Sequence, residues 1–251
     1  MEIRKYLDRI NDQGELVPTL AVLGRLQLNH MLNVPFENLD IHFGRPIELE
    51  VQKLYEKIVV HTRGGFCYEL NGLFYELLKS IGFEVKMVSA CVHNSTKNAF
   101  GPEFDHMALI IHIDGTDYLA DVGFGKFATG PLKLQLNTNQ EDGRAQFKME
   151  PYAENHILVS KKEKQDWNPE YIFSQQARQL DEYTEMCIFQ QTSPDSHFTQ
   201  NRVCSLLTHD GRITISGNKL LTTSETAVTE TILKDEQAFE AVLLEYFGIR
   251  V

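Results

Sequence analysis

Residues 62–72 read TRGGFCYELNG, which places two glycines directly before a cysteine at the predicted start of a helix. An apolar stripe follows at helical spacing, and a glycine stands where a left-handed helix cap is expected. The stripe and its cap are Leu70, Leu73, Phe74, Leu77, Leu78, Ile81 and Gly82. The pattern predicts an amphipathic helix that begins at Cys67.

The position of Cys67 at this junction indicates a nucleophile. Unpaired amides and the positive end of the dipole at a helix N-terminus favour the thiolate, which is the reactive form. Gly64 and Gly65 permit backbone angles and close approaches that larger residues would prevent. The alternative is a buried cysteine that acts as a small apolar residue beside a turn.

Two later residues can complete the chemistry of a nucleophilic thiol. His106 begins the apolar run HMALII, so it is predicted at the mouth of a strand. Asp121 lies in the otherwise apolar run YLADVGFG, where a buried carboxylate needs a partner. Nucleophile, base and orienting acid form the set used in covalent catalysis. Each also has a simpler reading, His106 as a satisfied strand-end histidine and Asp121 as a turn residue.

The periodicity of apolar residues changes along the chain. Up to about residue 82 they recur at helical spacing, whereas from about 83 to 175 short strands alternate with Gly, Asn and Asp. Asp114-Gly115 predicts a tight hairpin turn, and the strand spacing favours an antiparallel sheet closing toward a barrel. The remainder predicts a helix over 178–189, further strands and a final helix from about 235 to 247.

Metal binding is the main competing chemistry. Cys91 and His93 could join Cys67 and His106 in a four-ligand site, but structural zinc sites usually offer two close pairs of ligands. No Gly-Lys-Ser/Thr follows the glycines before Cys67, so a phosphate loop is not indicated either. We therefore predict no metal.

The charge balance bears on the partners of the protein, and the first residues and the cysteines bear on its compartment. Lys and Arg number 24 against 35 Asp and Glu, and the formal charge of −11 disfavours nucleic acid and anionic membranes as partners. The start of the chain lacks the basic-then-apolar order of a signal peptide. Four scattered cysteines without a CxxC pair suit a reducing compartment. A cytoplasmic location is predicted.

Three motifs resemble the active-site motifs of arylamine N-acetyltransferases. They are RGGFCYELN at 63–71, DHM at 105–107 and YLADVGFG at 118–125. The stretches VPFENL at 34–39 and QTSPDSHF at 191–198 extend the resemblance in the family's order. The length is similar to that of the bacterial members.

The resemblance implies an α+β fold in three parts around a catalytic core like that of cysteine proteases. Residues 1–82 would form a helical bundle that carries the cysteine. Residues 83–190 would form an antiparallel β-barrel that carries the histidine and the aspartate, and residues 191–251 would form an α/β lid.

The resemblance also implies roles for single residues. Cys67 would be the nucleophile, His106 its base and Asp121 the residue that orients the base. The residues that would line the acceptor pocket are Phe36, Val92, Phe124 and Phe198. Each of these four could equally be an ordinary core residue.

The implied reaction carries an acetyl group from acetyl-CoA, as co-substrate, to an arylamine or hydrazine in a ping-pong mechanism through an acetyl-cysteine. Its implied setting is xenobiotic metabolism, although a biosynthetic role stays open. So do the physiological amine, the acyl-chain length, the CoA-binding residues and the oligomeric state. The alternatives are a cysteine hydrolase and a binding module without turnover.

Overall fold

The computed structural model describes residues 1–224 and 226–250, with every side chain in those ranges except that of Glu154. Glu225 and Val251, both in the predicted lid, lie outside the described residues. The α-helices are α1 (Ile3–Arg9), α2 (Leu20–Asn33), α3 (Leu39–His42), α4 (Val51–Tyr55), α5 (Cys67–Ile81), α6 (Thr184–Thr192), α7 (His197–Gln200) and α8 (Glu236–Phe247). A π-helical turn covers Glu56–Val60, and 3₁₀ turns cover Ala153–Asn155 and Leu180–Tyr183.

The strands form two antiparallel sheets. The first ten are β1 (Phe36–Glu37), β2 (Glu84–Asn94), β3 (Ala99–Phe100), β4 (His106–Ile113), β5 (Thr116–Ala120), β6 (Leu132–Lys133), β7 (Asn139–Glu141), β8 (Gln146–Tyr152), β9 (His156–Glu163) and β10 (Asp166–Ser174). The last four are β11 (Val203–Leu207), β12 (Gly211–Ser216), β13 (Lys219–Ser224) and β14 (Val228–Ile232).

Helix α5 begins at Cys67 as predicted, and both of its ends have a local cause. Phe66 is extended, and its amide donates to the Glu69 side chain at 3.0 Å, which satisfies one of the free amides of the first turn. At the other end Gly82 adopts a left-handed conformation with φ of 103°, which suits glycine. The apolar stripe is buried except for Ile81, which is partly buried, so α5 is the centre of the helical part.

The larger sheet has the order β6-β5-β4-β2-β10-β9-β8-β7, with β3 paired to β2. Alternate residues of its strands converge on one interior core, as the two-residue period of a strand requires. That core includes Val88, Ala90, Ala108, Ile110, Leu119, Phe147, Met149, Val159, Tyr171 and Phe173. The sheet is therefore curved around its own interior, and the predicted barrel-like architecture is confirmed.

Strand β4 has two buried faces. Met107, Leu109 and Ile111 belong to the core that contains α5, whereas Ala108 and Ile110 face the barrel interior. His106 shares the parity of Ala108, which directs it toward the barrel side. The hairpin from β4 to β5 turns at Asp114 and Gly115, both with positive φ, so this predicted turn is confirmed.

The smaller sheet has the order β1-β11-β12-β13-β14 and packs against α8. Strand β1 comes from the helical part, and Phe36 pairs with Ser205 of β11. The helix predicted over 178–189 is present with shifted bounds, as a 3₁₀ turn over Leu180–Tyr183 that leads into α6. Among the described residues no helix is long and apolar enough to cross a membrane.

Candidate active site

Cys67 is the first residue of α5 and is 4% exposed. Two glycines let backbone segments pack closely in its surroundings. A Cβ atom on Gly64 would lie 1.9 Å from the Pro35 carbonyl oxygen, and one on Gly123 would lie 2.8 Å from the Cα of Cys67. The loop before the helix thus packs on the backbone of Pro35, and the loop after β5 packs on the backbone of Cys67, because neither glycine carries a side chain.

Asp121 is fully buried, and both of its carboxylate oxygens are satisfied. Its Oδ2 lies 2.7 Å from His106 Nε2 and accepts from the Tyr171 hydroxyl at 3.3 Å. Its Oδ1 accepts from Asn71 Nδ2 at 2.8 Å and from the Gly123 amide at 2.9 Å. Four partners match the four acceptor positions of an ionised carboxylate. The burial of this group is therefore compensated.

The bond to Asp121 fixes the tautomer of His106. A neutral imidazole that donates from Nε2 keeps its lone pair on Nδ1, the atom then free to take a proton. The ring packs against Phe124 and Tyr171, with centroids 4.9 and 5.3 Å apart. His106 is 2% exposed, so its orientation is set by packing as well as by the hydrogen bond.

Asn71 links the cysteine helix to this pair. It lies four residues after Cys67, on the same side of α5. Its Nδ2 donates to the Met107 carbonyl at 2.7 Å as well as to Asp121, and its Oδ1 accepts from the Val122 amide at 2.9 Å. The helix spacing could have predicted Asn71. No sequence pattern pointed to Tyr171, which reaches Asp121 from β10.

The electrostatics of Cys67 differ from the expectation drawn from the helix N-terminus. Burial raises the pKa of its thiol, and the carboxylates of Asp105 and Asp121 raise it further, while a hydrogen bond from the Tyr68 backbone lowers it. Burial outweighs the helix dipole, because one helix terminus contributes little against the loss of water around an anion. A thiolate at Cys67 therefore requires a positive partner close by.

One cavity of about 850 Å³ joins the predicted residues. Cys67 and His106 line it, and so do all four residues predicted for the acceptor pocket, namely Phe36, Val92, Phe124 and Phe198. Asp121 lies behind His106, outside the lining. The volume is in the range of small-molecule sites, and five phenylalanines contribute to the wall.

Asp105 also lines this cavity and was not singled out from the sequence. Its carboxylate accepts from Gln190 Nε2 at 2.8 Å. Within residues 1–224 and 226–250, no group of three or more His, Cys, Asp and Glu is placed to hold a metal ion.

Comparison with known proteins identifies the family. An N-acetyltransferase family profile matches residues 19–251. The arylamine N-acetyltransferase of Mycolicibacterium smegmatis is 32% identical, over 99% of this chain and 92% of its own length. The pineal gland isozyme NAT-10 of Gallus gallus is 31% identical, over 99% and 94%. The chain belongs to the arylamine N-acetyltransferase family.

Solved structures of the family share the fold. The Mycobacterium marinum enzyme superposes with a TM-score of 0.92 at 30% identity, covering 99% of this chain and 93% of that one. Its complex with CoA gives 0.91 at 30% identity, with the same coverage. The Bacillus cereus NAT3 enzyme, described with a unique Cys-His-Glu triad, gives 0.92 at 24% identity over the whole of both chains. The resemblance seen in the motifs and the α+β fold class are confirmed.

Proposed function

We propose that this protein transfers the acetyl group of acetyl-CoA to the nitrogen of arylamines and arylhydrazines through an acetyl-cysteine at Cys67. The observation that carries the proposal is one cavity containing Cys67 and His106, with His106 held by Asp121 at 2.7 Å. Membership of the family and the CoA complex of a relative support acetyl-CoA as the donor.

In the first half-reaction His106 Nδ1 takes the thiol proton as the sulfur attacks the acetyl carbonyl carbon. Because burial and two carboxylates disfavour an isolated thiolate, the anion forms only together with the imidazolium, whose charge Asp121 stabilises. The C–S bond to CoA then breaks. The departing CoA sulfur receives the proton from His106, and Cys67 is left acetylated.

In the second half-reaction a neutral amine attacks the acetyl-cysteine. His106 takes the proton that the nitrogen loses and returns one to the departing Cys67 sulfur, which restores the enzyme. Arylamines suit this step because their low basicity leaves them uncharged at neutral pH. The aromatic wall formed by Phe36, Phe124 and Phe198, with Val92 beside it, suits a flat apolar acceptor.

We also propose the partners, the compartment and the biological role of the protein. The formal charge of −11 supports a small-molecule enzyme without nucleic-acid or membrane partners. The four cysteines are unpaired thiols, which supports a reducing cytoplasm. We propose that the Cys-His-Asp set serves xenobiotic amines and hydrazines there.

The test is release of free CoA from acetyl-CoA with and without an anisidine. Wild type should release CoA in an amine-dependent way, and Cys67→Ser should abolish the release. Cys187→Ser is the matched control, because Cys187 is also buried, at 1% exposed, but does not line the cavity. Equal activity in wild type and Cys67→Ser would overturn the proposal.

A further inference from the structure

Two arginines meet where the barrel touches the C-terminal sheet. Arg212 of β12 donates from Nη2 to the Gly125 carbonyl at 2.6 Å and from Nη1 to Ser205 Oγ at 3.1 Å. Arg144, between β7 and β8, donates from Nη2 to the carbonyls of Thr208 and His209 at 2.9 and 2.7 Å. These carbonyls lie in the turn that leads into β12, so both guanidinium groups lie at one hairpin.

No carboxylate neutralises this pair among the residues that the structure describes. Within the described residues neither arginine forms an ion pair with a carboxylate within 4.0 Å, and the acids nearest to them in sequence have other partners. Asp142 accepts from the Arg144 and Ala145 amides, and Asp210 accepts from Thr208 Oγ1. Burial and the charge of Arg144 lower the pKa of Arg212 to about 10, so Arg212 stays positive at neutral pH. Two adjacent like charges repel each other, and a bound anion would relieve this repulsion.

Each guanidinium keeps donors for such an anion. A guanidinium carries five N–H groups in a planar fork, and the named bonds use only part of each set. The remaining N–H groups suit bidentate binding of a phosphate.

The pair lies beside the proposed active site. Gly125, which holds Arg212, lines the cavity with Cys67, and so does Phe36, the strand partner of Ser205. Gly123 packs on Cys67 and lies within about 8 Å of Gly125 along the backbone, since consecutive Cα atoms are about 3.8 Å apart. A flexible arm bound along this loop could join the arginines to the thiol.

We propose that Arg212 and Arg144 form an anion site that binds a phosphate group of the acyl-CoA donor, with the pantetheine arm following the loop from Gly125 to Cys67. The inference rests on the proposed function and adds residues that would hold the donor. It explains how a chain with a formal charge of −11 can bind a polyanionic co-substrate.

The first test is binding of CoA by calorimetry to wild type, Arg212→Gln and Arg144→Gln. Each variant should bind CoA about tenfold or more weakly, because a charge-assisted hydrogen bond contributes that much affinity. Pantetheine, which has no phosphate, should bind all three proteins equally. Arg202→Gln is the matched control, because Arg202 is already paired with Glu236 and stacked on Phe239. Unchanged CoA affinity in both variants would overturn the site.

Dephospho-CoA and the variant Arg212→Lys show which phosphate binds and whether the planar guanidinium is needed. A loss of affinity shared by CoA and dephospho-CoA assigns the diphosphate to the site, and a loss confined to CoA assigns the 3′-phosphate. Arg212→Lys keeps the charge without the planar fork and should bind CoA with intermediate affinity. This variant tests the site if the glutamine variant fails to fold. Lysine and glutamine variants that both fold and bind CoA as wild type does would contradict it.

The second test compares acetyl donors. With acetyl-CoA the glutamine variants should show a raised KM, whereas with p-nitrophenyl acetate, which has no phosphate, their rates should match wild type. A wild type that acetylates anisidine from neither donor would refute the proposed function. Variants that lose both donors equally would refute only the phosphate site.

Discussion

Two polar clusters contact the first turns of α5 from different sides, and they differ in whether every polar group has a partner within the cluster. One is an ion cluster, defined as Glu37, Asp40, Lys57, Arg63 and Glu69. The other is the hydrogen-bonded set of Asn71, His106 and Asp121. Every group of the ion cluster contacts one of opposite charge, whereas His106 keeps one ring nitrogen free at the cavity. The ion cluster therefore serves to position the cysteine, whereas the hydrogen-bonded set is the part that we propose acts on its proton.

The ion cluster holds the segment that leads into the helix. Lys57 Nζ lies 2.8 Å from both Asp40 and Glu69, and Arg63 Nη2 lies 2.8 Å from Glu37. Glu69 in turn accepts from the Phe66 amide, one residue before Cys67. Two cations face three carboxylates, so one negative charge is left over. The raised pKa of Glu69, caused by burial and by Glu37, is consistent with that excess.

The largest effect on activity is expected from a substitution in the hydrogen-bonded set. Asp121→Asn should lower kcat/KM for anisidine acetylation by about 10³–10⁴-fold, because an amide no longer holds His106 in the required tautomer. The protein should still fold, as circular dichroism would show. Asp117→Asn is a matched control, since Asp117 also lies 2.7 Å from a histidine, His112, but on the surface. Equal losses in both variants would remove Asp121 from the mechanism.

Removing a cation from the ion cluster should lower the free energy of unfolding. Lys57→Met leaves Asp40 and Glu69 buried beside each other without their shared cation, and should cost about 3–5 kcal/mol of unfolding free energy. Lys53→Met, which removes an exposed lysine that contacts Glu48 and Glu50, should cost less than about 1 kcal/mol. Urea unfolding measures both. Equal costs would mean that the buried cluster has no special structural role.

The excess charge of the cluster predicts a pH dependence. Burial raises the pKa of Glu69 from 4.5 to about 7, so the folded state holds a proton that the unfolded state has released in this window. Stability should therefore fall as pH rises from about 4.5 to 7, by roughly 1–3 kcal/mol from this group. Glu69→Gln should remove that fall. Parallel stability curves for wild type and variant across pH 4–8 would contradict the assignment.

The smallest effect concerns the thiol itself. After burial, the Asp105 carboxylate is the next cause of the raised pKa of Cys67. Asp105→Asn should lower that pKa and speed iodoacetamide labelling of Cys67 at fixed pH, read by peptide mapping. Asp195→Asn, at an exposed residue that also lines the cavity, should leave labelling unchanged. An unchanged rate in Asp105→Asn would show that burial alone sets the reactivity.

Much of this arrangement is readable from sequence because it is local. The stripe behind Cys67 predicts α5, and Asp114-Gly115 predicts the hairpin that brings His106 near Asp121. Other features depend on distant pairing. A two-residue strand such as β1 has too few residues for any periodicity, and its partner β11 lies far along the chain.

The ion cluster was missed for the same reason. Three of its members, Glu37, Arg63 and Glu69, lie in the motifs quoted above, but no spacing in the sequence pairs them with Asp40 and Lys57. Burial, which only the packed structure reveals, also reversed the expectation for Cys67. A helix N-terminus alone favours a thiolate, but the surrounding core and Asp105 oppose it.

The most direct test of the account is the mass of the protein mixed with acetyl-CoA in the absence of an amine. We expect a gain of one acetyl group on the peptide that contains Cys67, and its loss when an anisidine is added. Acetylanisidine formed while no acetyl-enzyme appears, or an acetyl group on Cys91, Cys187 or Cys204 instead, would contradict the central role of Cys67.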